Sequence, residues 1–265
     1  MPRLLVINPN ISVTVTALIE AEALRSAAPG TGITTVTAPF GVAYIETRFE
    51  AMLGAHAVAE VAAQQAAGYD AVIVAAFGDP GMLALREVLP MPVTGMTEAA
   101  LMSACMLGQR FSIIAISTRI SAWYREVVDS YGLLGRLASI RSLDFPLRDV
   151  ASIQQDHRDA LLALAERAVK EDGADVIVLA GAPLAGLARQ VHGLLPVPVV
   201  DGVSSAVNHA QTLAALMPAK AREGSFARPP IKPNAGLSPA LAAMLAERLW
   251  CASEPAPSAL PFASS

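Results

Sequence analysis

The chain has 265 residues, 54% of them apolar and 16% charged, with a formal net charge of −4. That is ample core material for one large or two small domains, and the absence of a dense Lys/Arg cluster argues against nucleic acid or an anionic membrane surface as partner. No apolar run approaches the roughly 20 residues a spanning helix needs, and two cysteines, Cys105 and Cys251, make no disulfide framework, so a reducing cytoplasm is the expected compartment.

Met1-Pro2-Arg3 lacks the apolar region of a signal peptide and leads into a strand over 4–7 that ends at Asn8-Pro9-Asn10. Ser12 is placed to cap a helix over 13–27, closed by Pro29-Gly30. A β-branched strand follows over 33–37. The loop Ala38-Pro39-Phe40-Gly41 and the segment Tyr44-Ile45-Glu46-Thr47-Arg48 precede an Ala-rich helix over 49–67, stopped by Gly68.

Residues 70–81, DAVIVAAFGDPG, organise the rest. The apolar run 71–74 reads as a parallel strand buried on both faces. A tight turn, Gly78-Asp79-Pro80-Gly81, and a helix from Met82 to Glu87 come next. Such a turn lies where open α/β sheets place ligands, and its free backbone N–H groups favour an anion. A strand over 93–96 and a helix from Thr97-Glu98 through Cys105 to Leu107 follow. Next come a strand over 111–116 ending in Ser117-Thr118, a helix over 121–131 and a strand over 139–143. The helix over 158–171 has good apolar spacing at Leu161, Leu162, Leu164, Ala165, Ala168 and Val169.

A second copy of the organising stretch begins about 105 residues after the first: residues 175–186, DVIVLAGAPLAG. Each copy is followed by a short helical segment and a Pro-X-Pro-Val strand, at Pro90-Met91-Pro92-Val93 and Pro196-Val197-Pro198-Val199. The period is far longer than that of a solenoid repeat. It implies two similar α/β halves whose strand-end turns face one another across a cleft; the alternative is likeness between two ordinary βα units. Asp201-Gly202 ends the last strand, and Ser204-Ser205 could cap a helix to Leu216. A Pro/Gly-rich loop over 223–238, crossing between the halves, a helix over 239–250 and a disordered tail over 251–265 complete the chain. Alternating strands and helices make a doubly wound parallel α/β fold. The halves are residues 1–96 plus 206–250, and 97–205.

Several strand-end residues have two readings. Asn10 either forms an Asx-turn and helix cap or binds a substrate carboxylate or ureido carbonyl. Asp79 caps the helix that follows it or serves as a general acid/base. The small residues at 76–78 and 181–183 either pack closely or form two main-chain cradles for oxyanions. Ser117 and Thr118 cap a helix or bind the substrate's polar end. Glu46 and Arg48 form a surface ion pair, or Glu46 sits at the rim of the cleft with Tyr44 lining it. Asp201 supports the cleft. His56, His157 and His192 lack a mutual metal-ligand spacing and His209 lies in a helix pattern, so no metal site is expected. No G-x-S-x-G, P-loop or G-x-G-x-x-G pattern points to a serine hydrolase or a nucleotide cofactor.

Ile7-Asn8-Pro9-Asn10, Ile45-Glu46, Phe77-Gly78-Asp79-Pro80-Gly81, Glu98-Ala99-Ala100, Phe111-Ser112 and Asp201-Gly202 together resemble the Asp/Glu/hydantoin racemase superfamily, in its hydantoin and allantoin racemase branch. The resemblance covers most of the chain, from Leu4 to Leu216. It implies two Rossmann-like halves, an active site between them, no cofactor and an even-numbered homo-oligomer. It also implies a substrate site at Asn10, Tyr44, Glu46, Phe77, Gly78, Ser117, Thr118, Ala182 and Pro183. The family's racemases use two cysteines on opposite faces of the substrate; the resemblance places these at Ala76 and Gly181, which cannot carry a proton. A general acid or base supplies about 10²–10⁴-fold in rate, so thiol-pair racemisation is expected to be lost or very weak. The expected function is an enzyme acting on a small carboxylate or hydantoin-like ureido compound through carbanion or enolate stabilisation. Lyase or decarboxylase chemistry, or a non-catalytic binding protein, is the alternative.

Overall fold

The computed structural model describes residues 1–144 and 152–246. In chain order these form β1 (Arg3–Asn8), α1 (Val13–Ser26), β2 (Gly32–Thr37), α2 (Arg48–Gln65), β3 (Ala71–Val74), α3 (Met82–Val88), β4 (Val93–Gly95), α4 (Met96–Leu107), β5 (Phe111–Ala115), α5 (Ser121–Ser130), β6 (Leu137–Ser142), α6 (Ile153–Asp156), α7 (Arg158–Asp172), β7 (Val176–Leu179), α8 (Leu187–Gln190), β8 (Val199–Asp201), α9 (Gly202–Leu216) and α10 (Pro239–Leu245). The strands build two four-stranded parallel sheets, in the orders β2-β1-β3-β4 and β6-β5-β7-β8. The two orders follow one pattern. In each sheet the inner pair ends together, with Ile7 opposite Val74 and Ile114 opposite Leu179.

Alternation along the inner strands explains why they read as unbroken apolar runs. Leu4, Val6, Ala71 and Ile73 face one side of the first sheet, and Leu5, Ile7, Val72 and Val74 face the other. In the second sheet Phe111, Ile113, Val176 and Val178 face one side, and Ile114, Ile177 and Leu179 the other. Both faces are covered, so neither can be polar. The Leu5 set packs on Val58 and Val61 of α2, Leu85 of α3 and Met244 of α10. The Ile114 set packs on Leu161, Ala165 and Ala168 of α7. The Leu4 and Phe111 sets belong to one core shared by both sheets.

Two helices fill that shared core by exchange. α4 follows the last strand of the first sheet but lies on β7 and β8 of the second; α9 follows the last strand of the second sheet but lies on β3 and β4 of the first. The two helices also pack on each other. Ala99, Ala100 and Ala104 of α4 and Ala206 and Ala210 of α9 are buried there, and their small side chains permit close approach.

Local capping follows the expected chemistry. The Ser12 hydroxyl accepts from the Val15 N–H at 3.3 Å, and Thr47 with Glu50 closes a capping box at the start of α2. The segment after α9 does not cross between the halves. Lys220 donates to the carbonyls of Arg86 and Phe226, Arg228 to that of Val88, and Ser238 to Glu60, so the segment is strapped to α3 and α2. Basic side chains on the last carbonyls of α3 satisfy groups that the helix end leaves free. The expected tail lies outside the described residues, as does the end of the expected last helix. Among the described residues, no helix is long and apolar enough to cross a membrane.

Candidate functional site

The first strand-end turn leaves β3 at Ala75 and is buried at Ala76, Phe77 and Asp79. Asp79 adopts φ +48, and its carboxylate turns away from α3 toward α4. The Thr97 N–H donates to Asp79 Oδ1 and the Glu98 N–H to Oδ2, both at 2.8 Å, and the Tyr131 hydroxyl donates to Oδ2 at 2.8 Å. Asp79 therefore caps α4, while Gly81 takes the N-cap position of α3. Gly95 makes this docking possible: a Cβ there would stand 2.2 Å from Asp79 Cγ. Burial pushes the Asp79 carboxyl up to about 6, against the pull of the donated hydrogen bonds. The Gly78 N–H donates to Thr97 Oγ1 at 2.6 Å, tying the turn to the same helix end.

The second turn leaves β7 at Ala180. Gly181, Ala182 and Pro183 are buried, and Gly181 adopts φ +113, ψ 140, a conformation close to the glycine-only region. Gln154 of α6 holds this turn from outside, donating to the carbonyls of Pro183 and Ala185 at 2.8 and 2.9 Å. The residues flanking Ala76 and those flanking Gly181, namely Ala75, Phe77, Ala180 and Ala182, all lie in the core shared by the two sheets. The N–H groups of Ala76, Phe77, Gly181 and Ala182 have no acceptor among the described residues.

The other strand ends complete the setting. After β1, Asn10 Oδ1 accepts from the Ser12 N–H at 2.9 Å and from Asn8 Nδ2 at 3.1 Å, the Asx-turn of the sequence reading. Its own side-chain N–H groups have no acceptor among the described residues. After β5, the Ser117 hydroxyl accepts from the Arg119 N–H at 3.3 Å, and Thr118 is exposed. Arg48 does not pair with Glu46; it donates to Glu126 on α5 instead, at 2.8 Å from Nε, while the Glu46 N–H donates to Glu50. The Asp201 carboxylate caps α9, accepting from the Ser204 N–H at 2.9 Å, and burial raises its pKa.

Thr97, Trp123, Tyr124, Tyr131 and Gln154 were not singled out from the sequence. Four of them surround the first turn. The Tyr124 ring lies 4.6 Å from that of Phe77, and Trp123 packs on Gly78, where a Cβ would come within 2.3 Å of its ring. One signal was available: the chain has four tyrosines, and the sequence puts two of them beside Trp123 on one helical face of 121–131. A third, Tyr44, packs against the shared core and against the core behind the second sheet. Tyr44, Tyr124 and Tyr131 are all pushed above the usual tyrosine range by burial, with nearby Asp79 and Glu46 adding to the effect on Tyr124. All three are neutral donors at any ordinary pH.

Among the described residues, no group of three or more His, Cys, Asp or Glu side chains is placed to hold a metal ion. Cys105 is half-buried within α4, and Cys251 lies outside the described residues. A groove of about 300 Å³, lined by Arg86, Met91, Leu213, Lys220 and Phe226 among others, includes no residue of either turn.

Residues 4–210 match the protein family described as Asp/Glu/Hydantoin racemase. A hydantoin racemase of Paenarthrobacter aurescens is 38% identical over 232 residues, which is 86% of this chain and 97% of that protein. The solved allantoin racemase from Klebsiella pneumoniae superposes with a TM-score of 0.86 at 38% identity, covering 91% of this chain and 99% of that one. A crystal structure of arylmalonate decarboxylase shares the fold, with a TM-score of 0.60 at 21% identity over 80% of this chain and 92% of its own.

Proposed function

Because this chain belongs to the Asp/Glu/hydantoin racemase family, we propose that it binds a small hydantoin-like or carboxylate compound between its two strand-end turns and acts on it without a thiol pair. One observation carries the reading: four main-chain N–H groups, two in each of two matching turns, are left unused by the described fold. Donors fixed in this way stabilise negative charge on a ligand oxygen, as an enolate or carboxylate requires. Asn10 offers a further side-chain donor at the neighbouring strand end, and Phe77, Tyr124 and Trp123 supply an apolar wall. Ala76 and Gly181 stand where the family resemblance puts the two thiols, so neither turn offers a proton carrier at those positions.

A binding protein without turnover is the second reading, and Asp79 is the observation that favours it. Both its oxygens already accept hydrogen bonds from the α4 N-terminus and Tyr131, which makes it a positioning carboxylate rather than a free base.

The test is to follow hydantoin and allantoin binding by calorimetry, and exchange of the stereogenic C–H with solvent deuterium by NMR, for the natural chain and for the double variant A76C/G181C. Expected are binding by both proteins and exchange at least about 10²-fold faster in the variant. The variant should also be less thermostable, because a side chain at φ +113 strains the second turn by about 1–3 kcal/mol. Failure of the natural chain to bind either compound overturns the reading. Equal, fast exchange by both would place the proton carriers outside positions 76 and 181.

A further inference from the structure

The two strand-end turns are anchored differently. The first carries its own buried carboxylate, Asp79, which ties it to the start of α4. At the matching place in the second copy stands Leu184, so the second turn has no such group of its own. A carboxylate reaches it from α1 instead. That helix packs on residues Ala182–Leu184, and the side chain of its Glu22 is only 1% exposed. Glu22 accepts from Arg189 of α8 at 2.8 Å, across 167 residues of sequence, and on its own helix from Arg25 and Ser26, both at 3.1 Å. Its approach depends on Gly186, where the second turn ends. Gly186 adopts φ +80, ψ −8, against φ +80, ψ −4 at Gly81 in the first copy. A Cβ at Gly81 would meet Ala55 of α2, whereas a Cβ at Gly186 would stand 2.9 Å from Glu22 Oε2. A buried carboxylate is costly unless its neighbours compensate it, and here the compensation comes in part from the helix into which the second turn leads.

We propose that Glu22 is the positioning residue of the second turn: from α1 it supplies the buried carboxylate that Asp79 supplies to the first turn from inside it. Gly181 and Ala182, whose N–H groups form the second cradle, then lie between two kinds of fixed point. Gln154 holds the carbonyls of Pro183 and Ala185, and Glu22 holds the far end at Gly186 and Arg189. Losing Glu22 frees the turn to shift against α1, while the contacts of Asp79 stay as they are. The consequence for a ligand rests on the reading of the turns as a ligand site. Two cradles can share one ligand only if supporting contacts fix their spacing to a fraction of an ångström, so a displaced second turn weakens binding without any change in the groups that touch the ligand.

The experiment is Glu22→Gln, with Arg189→Met as a second variant that cuts the link to α8 and leaves α1 intact. Amide exchange with deuterium is read in both turns. In the second, the Leu184 and Ala185 N–H groups donate to the carbonyls of Gly181 and Ala182 at 2.9 and 3.0 Å; in the first, those of Asp79 and Met82 donate to the carbonyls of Ala76 and Asp79 at 3.1 Å. Both variants are expected to exchange about tenfold faster at Leu184 and Ala185, with Asp79 and Met82 unchanged. Equal acceleration in both turns would overturn the proposal, because it would show a general loss of stability; unchanged exchange at the second turn would overturn it directly. If Glu22→Gln does not fold, Arg189→Met decides by the same criteria. Affinity of Arg189→Met for hydantoin and allantoin, by calorimetry, is expected to fall about tenfold. Unchanged affinity beside faster exchange would overturn the consequence for the ligand. If the natural chain binds neither probe, the reading of the turns falls, while the exchange result still decides the role of Glu22.

Discussion

Asp79 shows how one side chain can fix a turn that it does not itself line chemically. Its carboxylate closes the N-terminus of α4, a helix that starts far along the chain, and the donor at Thr97 is 18 residues away. The sequence made the residue conspicuous but pointed to the adjacent helix, because capping signals are read locally. The partner that redirects it is Gly95, whose missing side chain leaves room for the carboxylate, and nothing in a one-dimensional pattern links positions 79 and 95. The raised pKa has a direct consequence. Asp79 holds its proton up to about pH 6 in the folded chain but only to about pH 4 when unfolded. Its contribution to stability is therefore fully present below the unfolded value and lost as pH rises through 6. The stability gap between the natural chain and Asp79→Asn should widen in favour of the natural chain as pH falls from 6 to 4, by on the order of 3 kcal/mol. Urea denaturation of both proteins across that range would show it; a flat gap would contradict the raised value.

Arg48–Glu126 and Arg189–Glu22 are ion pairs that join elements of the two halves, and they differ in burial. Arg48 of α2 meets Glu126 of α5 with both side chains 58% exposed, so solvent screens the pair and each partner is well hydrated alone. Glu22 of α1 is 1% exposed as a side chain and accepts from Arg189 of α8, from Arg25 and from Ser26. Removing Arg189 leaves the buried carboxylate with weaker compensation. Chemical denaturation should find Arg189→Ala destabilising by about 1–2 kcal/mol, since Arg25 and Ser26 remain and Arg189 is itself half exposed. Arg48→Ala should leave the denaturation midpoint essentially unchanged. Elements whose pattern is long and two-sided were legible beforehand: all eight strands of the described fold and the longer helices stand within a few residues of where their apolar runs placed them. α8 stands where a short helical segment was expected after the second turn, but α6 was not legible, because four residues make barely one turn and carry no period. That blind spot concealed Gln154, which braces the second turn. The aromatic face of α5 escaped for another reason: Trp123, Tyr124 and Tyr131 look like ordinary core until the first turn is seen to pack on them.

At the scale of the whole molecule, the last described segment is a brace on the first sheet. Met244 of α10 is 3% exposed and completes the core between that sheet and α2. Met244→Ala should lower stability by about 2–4 kcal/mol through lost burial and the cavity left behind. Ligand affinity at the turns should change little, because no turn residue belongs to that core; calorimetry on the variant would check this. The exchange of α4 and α9 has a wider effect. Each sheet is roofed by a helix encoded beyond the other's strands, so any break between positions 96 and 202 uncovers apolar strand surface on both products. Neither fragment is a module that evolution or an engineer could lift out and reuse. If a gene duplication produced the two halves, their later divergence was confined to sequences that kept both roofs in place, and a pair of severed fragments would regain a soluble state only by finding each other.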